Sequence, residues 1–206
     1  MPEEQVLGLR ERKKLDTRKA LSDAALELAM ERGLGNVTRD DIAARAGVSV
    51  RTFNNYFTGK YEALAYRQIE RIQRSLIALR NRPAGEPLWS AIGAAVLEPL
   101  EADGVGAAPP TTEQLSMVRE LLDAPETRIA VSKGVFDDWV EVIAERTGTD
   151  PERDLYPRLV AGVLGGVYQA ATETYIHADP PLLLTTLLRR AIEQVAAGLP
   201  EPAVDG

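Results

Sequence analysis

The sequence predicts an all-α fold, with a small basic helical head in front of a larger acidic helical body. Three observations carry this. Apolar residues recur at the i, i+3, i+4, i+7 spacing of a helix stripe along nearly the whole chain. No segment alternates apolar and polar residues as a half-buried strand would, and no internal repeat is visible. Glycine and proline fall mainly between the periodic segments, where helices must stop.

The elements follow in order. From Asp16, Leu21, Ala24, Ala25, Leu28 and Ala29 form one buried stripe, which ends at Gly33 and Gly35. Thr38, with Asp41 three residues on, resembles a capping box and starts a second helix with Ile42, Ala43 and Ala46 on its buried side. Gly47 ends it in a tight turn, and Ser49 caps a short third helix from Val50 to about Phe57. A longer helix runs from about Lys60 to Arg80, with Leu64, Ile69, Ile72, Leu76 and Leu79 on one side. The stretch NRPAGEP at 81–87 breaks it and marks a compositional boundary. Further helices are expected at about 88–102, 112–123, 125–146, 152–177 and 181–198, with a flexible link at 102–110. Pro99 is placed to kink its helix, and Gly134 weakens another. By domain, the reading is a basic arm at 1–14, a three-helix head at 15–62, a body at 63–199 and a frayed tail at 200–206.

Composition narrows the function. The 206 residues contain no cysteine and one histidine, His177, so thiolate or multi-histidine metal sites have no ligands. No metal, cofactor or catalytic residue is expected. A cysteine nucleophile, a glycine-rich phosphate loop and clustered carboxylates are all missing, which argues against a helical enzyme. The charged start MPEEQ and the lack of a ~20-residue apolar run point to a soluble, cytoplasmic chain without a membrane partner. Charge is uneven: residues 1–82 hold 16 Lys and Arg against 11 Asp and Glu, while residues 83–206 hold 8 against 20. The chain carries a net charge of -7, and a basic head on so acidic a body suits a nucleic-acid partner for the head alone.

Residues 37–57, VTRDDIAARAGVSVRTFNNYF, have the form of a helix-turn-helix. Ala43 is small enough for close helix packing, Gly47 turns the chain, and Val48 and Phe53 fill the space between the helices. At 100° per residue, Phe53 and Phe57 point inward, with Val50 at the edge. Arg51, Thr52, Asn55 and Tyr56 point outward, flanked by Asn54. Arginine can pair with guanine O6 and N7, asparagine with adenine N6 and N7, and Val50 can meet a thymine methyl. Thr52, Tyr56 and Lys60 suit phosphates, as do the free N–H groups at the helix starts near Thr38, Arg39 and Ser49. The RERKK run at 10–14 is read as a solubilising arm.

VTRDDIAARAGVSVRTFNNYFTGKYEAL resembles the DNA-binding segment of the TetR family of transcriptional regulators. Thr38, Ala43, Ala46, Gly47, Val48, Ser49, Thr52, Phe53, Tyr56, Phe57 and Lys60 match that family's pattern, and Asn54 departs from it where tyrosine is common. The match covers about residues 15–66. The resemblance implies a homodimeric repressor that binds a palindromic double-stranded DNA operator and is released by a small-molecule effector. An effector-independent activator or architectural regulator would carry the same head. Trp89, Met117, Phe136, Trp139, Tyr168 and Thr172 are the candidates for a mostly apolar effector pocket. For the dimer interface, Ala161, Gly162, Gly165, Gly166 and Ala170 would let two helices approach closely. Leu184, Leu187, Leu188 and Ile192 would add an apolar stripe beside them.

Overall fold

The computed structural model describes residues 8–127 and 134–201. Every regular element among them is helical. Helix α1 spans Leu9–Arg32, and a 3₁₀ turn follows at Leu34–Asn36. Then come α2 (Arg39–Arg45), α3 (Val50–Tyr56), α4 (Lys60–Asn81) and α5 (Leu88–Ala102). The rest are α6 (Thr112–Asp123), α7 (Val135–Thr147), α8 (Leu155–His177) and α9 (Leu184–Ala196).

Two boundaries differ from the sequence reading. Helix α1 begins at Leu9, so the basic run at 10–14 is helix from its first residue. Leu, Arg, Glu and Lys are all strong helix formers, and no glycine or proline interrupts them before Gly33. The single helix expected at 125–146 is not continuous. Residues 125–127 are helical, but Gly134 takes φ 81° just before α7, a left-handed conformation outside the helix. Residues 128–133 of that expected helix, and 202–206 of the expected tail, lie outside the described residues. Pro99 sits inside α5 without ending it.

The described residues divide into two compact units. One holds residues 8–69 with 117–127, and the other holds 70–116 with 134–201. Helix α4 therefore contributes to both, and α6 is shared as well. The head core gathers Leu21, Ala25, Leu28, Leu34, Ile42, Ala43, Phe53, Phe57 and Tyr66. In the body, α9 packs on α5 and α8, and α7 packs on α8.

The 102–110 link is not free along its length. A Cβ on Gly106, whose φ is 95°, would lie 2.3 Å from the Thr185 hydroxyl oxygen at the start of α9. Gly106→Ala is therefore expected to destabilise the body by about 1–3 kcal/mol, read as a lower urea midpoint with unchanged slope.

Candidate nucleic-acid interface

The helix-turn-helix is set by local chemistry. Thr38 caps α2: its hydroxyl accepts from the Asp41 N–H at 3.2 Å, and Asp41 Oδ2 accepts from the Thr38 N–H at 3.1 Å. This reciprocal box satisfies two donors that a helix start otherwise leaves orphaned. The Thr38 hydroxyl and backbone N–H hold the Asp41 carboxyl below the usual carboxylate range. Gly47 turns the chain at φ 69°, and the Val48 N–H closes the turn on the Ala43 carbonyl at 2.9 Å. Ser49 then caps α3 by accepting from the Thr52 N–H at 3.1 Å.

Helix α3 is anchored from below. Phe53 is fully buried, its ring 5.8 Å from Phe57, which in turn lies 5.8 Å from Tyr66 of α4. The Arg18 guanidinium of α1 lies over both Phe57 and Tyr66, 5.4 and 4.9 Å from their centroids. Arg45 fixes α2 to α1, donating to Glu31 at 2.9 and 2.7 Å and to Glu27 at 3.3 Å. With α3 held on its inner side, its outer residues are presented rather than merely exposed.

The expected reading residues sort into two groups. Arg51, Asn54 and Asn55 are exposed together on the outer face of α3, and Ser49 is exposed at its cap. Val50, Thr52 and Tyr56 are half-buried, and Val50 and Tyr56 pack against the head core. The Thr52 hydroxyl stands 2.8 Å from Ser49 Oγ and so is engaged with the cap. Arg39 is exposed at the first turn of α2 and reaches Asn54 Oδ1 at 3.5 Å, a bridge between the two helices.

Lys60 differs in posture from the expected phosphate contact. Its ammonium donates to the Leu34 carbonyl at 2.7 Å, tying the start of α4 to the turn before α2. It lines a cleft of about 450 Å³ with Thr38, Arg39, Asp40, Thr58, Gly59 and Tyr61. Thr58, Gly59 and Tyr61 escaped the sequence reading. The available signal is Thr58 with Glu62, since Glu62 accepts from the Thr58 N–H at 2.7 Å and ties the turn to the first turn of α4.

The body candidates are scattered. Trp139 is only 4% exposed, inside the packed face of α7, while Phe136, in the first turn of the same helix, is 43% exposed. Trp89, Tyr168 and Thr172 are half-buried in the same unit. Met117 packs against the head core and leaves the group, because the end of α6 belongs with the head. A cleft of the body of about 320 Å³ is lined instead by Gln73, Leu76, Ile77, Arg80, Asp138 and Glu141. The expected interface residues also divide. Gly162, Gly165, Gly166 and Ala170 are exposed on α8, and Leu184 and Leu187 are half-buried on α9. Ala161, Leu188 and Ile192 are buried within the chain at 5, 0 and 4% exposure, so they are core rather than interface. The reason is that the apolar stripe of α9 faces α5: a Cβ on Gly93 would lie 3.3 Å from Ile192 Cγ2.

A capped, core-anchored helix-turn-helix joined to a separate helical unit defines a DNA-binding regulator. Residues 21–65 match the model for bacterial regulatory proteins of the tetR family, and residues 86–200 match the MftR C-terminal domain. The chain is 34% identical over 186 residues to the HTH-type transcriptional regulator TcmR of Streptomyces glaucescens, covering 85% of this chain and 80% of that one. It is 31% identical over 203 residues to MftR of Mycobacterium tuberculosis, named as a mycofactocin biosynthesis transcriptional regulator, covering 97% and 98%. Among solved structures, Thermus thermophilus FadR, described as a TetR-family repressor in complex with lauroyl-CoA, superposes with a TM-score of 0.58. That likeness covers 92% of this chain and 98% of FadR at 21% identity. The structure of SmeT, repressor of a Stenotrophomonas maltophilia multidrug efflux pump, gives a TM-score of 0.56 over 90% and 96% at 17% identity. The chain belongs to the TetR family of transcriptional regulators. Its relatives are regulators rather than enzymes, and no described helix is long and apolar enough to cross a membrane.

Proposed function

We propose that this regulator is a homodimeric repressor that grips a palindromic operator and releases it on binding a small-molecule effector. The observation that carries the reading is the exposed trio Arg51, Asn54 and Asn55 on a helix anchored by Phe53 and Phe57. One α3 per subunit would lie in a major groove, with half-sites about one turn, ~34–36 Å, or slightly more apart. Thr38, Arg39, Ser49, Thr52, Tyr56 and Lys60 would hold the phosphates on either side, and Val50 would lie beside a base.

The exposed glycines of α8 support the dimer. A Cβ on Gly162, Gly165 or Gly166 would meet nothing within 4 Å among the described residues, and Leu155, Tyr156 and Leu159 on the same helix are 75, 48 and 56% exposed. Release by an effector is supported by proteins of like fold, FadR with lauroyl-CoA and SmeT with triclosan. Trp89, Phe136, Trp139, Tyr168 and Thr172 remain the residues assigned to the effector site. Helix α4 follows α3 directly and contributes to both units, so it is the natural lever. A coupling of ~1–3 kcal/mol would lower operator affinity roughly 5- to 150-fold. Equal operator affinity for effector-saturated and effector-free dimers would leave only the effector-independent regulator.

Arg51→Ala tests the reading face. It is expected to relax discrimination at one base pair per half-site, at about 1–3 kcal/mol for a bidentate contact, measured by competition among single-base operator variants. An unchanged base preference would remove Arg51 from direct readout.

A further inference from the structure

One polar cluster of the body plays no part in the account above. Arg71 and Arg74, one turn apart on α4, both donate to Asp103 at the end of α5. Arg71 Nε lies 2.8 Å from Oδ2, and Arg74 Nη2 lies 2.9 and 2.7 Å from the two carboxylate oxygens. Two guanidiniums carry ten donors between them, and one carboxylate uses few of these. Arg74 Nε is shielded from solvent and has no hydrogen-bond partner. Ser75, 1% exposed beside them, gives its hydroxyl to the Arg71 carbonyl at 3.0 Å and so leaves them unrelieved.

Tyr168 of α8 adds a donor. The hydroxyl of this half-buried residue lies within reach of the Arg71 charge and makes no hydrogen bond among the described residues. Burial raises its pKa, and the Arg71 charge only partly opposes this, so the hydroxyl keeps its proton at neutral pH. Burial alone would raise Asp103 too, but hydrogen bonds from Arg74 and Arg71 and their charges hold it below the usual range. Glu70 also faces Arg74 electrostatically without bonding it. With Glu70 counted, the charges balance, so what distinguishes the cluster is unspent donors rather than net charge. Donors left unmade in a partly buried site favour an acceptor-rich anion, and guanidinium matches carboxylate or phosphate oxygens two at a time.

Building on the effector-release reading, we propose that Arg71, Arg74 and Tyr168 form the binding site for the effector's anionic group, a carboxylate or phosphate, which takes the place of Asp103 on the arginines. The exchange frees α4 from the end of α5, which connects ligand chemistry to the helix that follows the reader.

The test is calorimetric titration of the full-length protein with octanoate, octyl phosphate and octanol, with operator affinity measured on the same samples. Both anions are expected to bind and octanol to bind roughly tenfold or more weakly. The tighter anion identifies carboxylate or phosphate. Arg74→Gln should weaken both anions about tenfold, and Asp103→Asn, which removes the competitor, should tighten them. Tyr168→Phe breaks no hydrogen bond to a described residue, so it should lower anion affinity without lowering the melting temperature. Equal binding of octanoate and octanol, no anion binding, or anion affinity unchanged in Arg74→Gln and Tyr168→Phe would overturn the site. Operator release by octanol alone would also overturn it while keeping effector release. Arginine-dependent anion binding with unchanged operator affinity would keep the site and overturn release by that anion.

Discussion

Phe53→Ala is expected to destabilise the reading head by about 3–5 kcal/mol and to abolish operator binding. Phe53 is fully buried under α3, against Phe57 and, through it, Tyr66 and Arg18. Small domains are stable by only about 5–15 kcal/mol in total, so this one ring is a large share. Helix α3 has seven residues, too few to persist in water without its anchor. Guanidinium unfolding should show a lower midpoint, and Phe53→Leu, which keeps most of the volume, should recover most of the stability and binding. A Phe53→Ala head that melts normally but fails to bind DNA would mean that Phe53 acts in recognition rather than in anchoring.

The second large effect is expected from Gly165→Arg. Gly165 is exposed on α8 with open space where a Cβ would stand, and arginine is a better helix former than glycine, whose penalty relative to alanine is about 0.8–1 kcal/mol. The subunit should therefore fold as well as before. At a two-fold interface, however, two bulky guanidiniums would meet where the helices must approach closely. Sedimentation should show a monomer. Operator affinity should fall by ~10²-fold or more, because the second half-site is no longer tethered to the first. A Gly165→Arg protein that stays dimeric with full operator affinity would exclude this face of α8 as the interface.

The head was legible in the sequence because its determinants are local. Thr38 with Asp41, Ser49 with Thr52, and Phe53 with Phe57 are each within four residues, and the structure joins each pair as the spacing requires. What was not legible depends on partners far along the chain. Lys60 reads as a free cation until the Leu34 carbonyl, 26 residues earlier, is brought to it. Periodicity shows that Leu188 and Ile192 share a stripe, but not that the stripe is filled by α5 and α8 rather than by a second subunit. Asp103 lies 32 and 29 positions after Arg71 and Arg74, and nothing in the sequence joins it to them. The start of α1 was missed for the opposite reason. A run such as RERKK looks like an arm by charge, while its residues are individually good helix formers.

The most direct test of a two-fold reader built on α3 is selection of bound fragments from random duplex DNA by the full-length protein. Affinity for the recovered sequence would then be followed against salt. The expected result is an inverted repeat whose half-sites are about one helical turn or slightly more apart, bound with a steep salt dependence. A folded dimer that enriches no sequence at any salt concentration would contradict it.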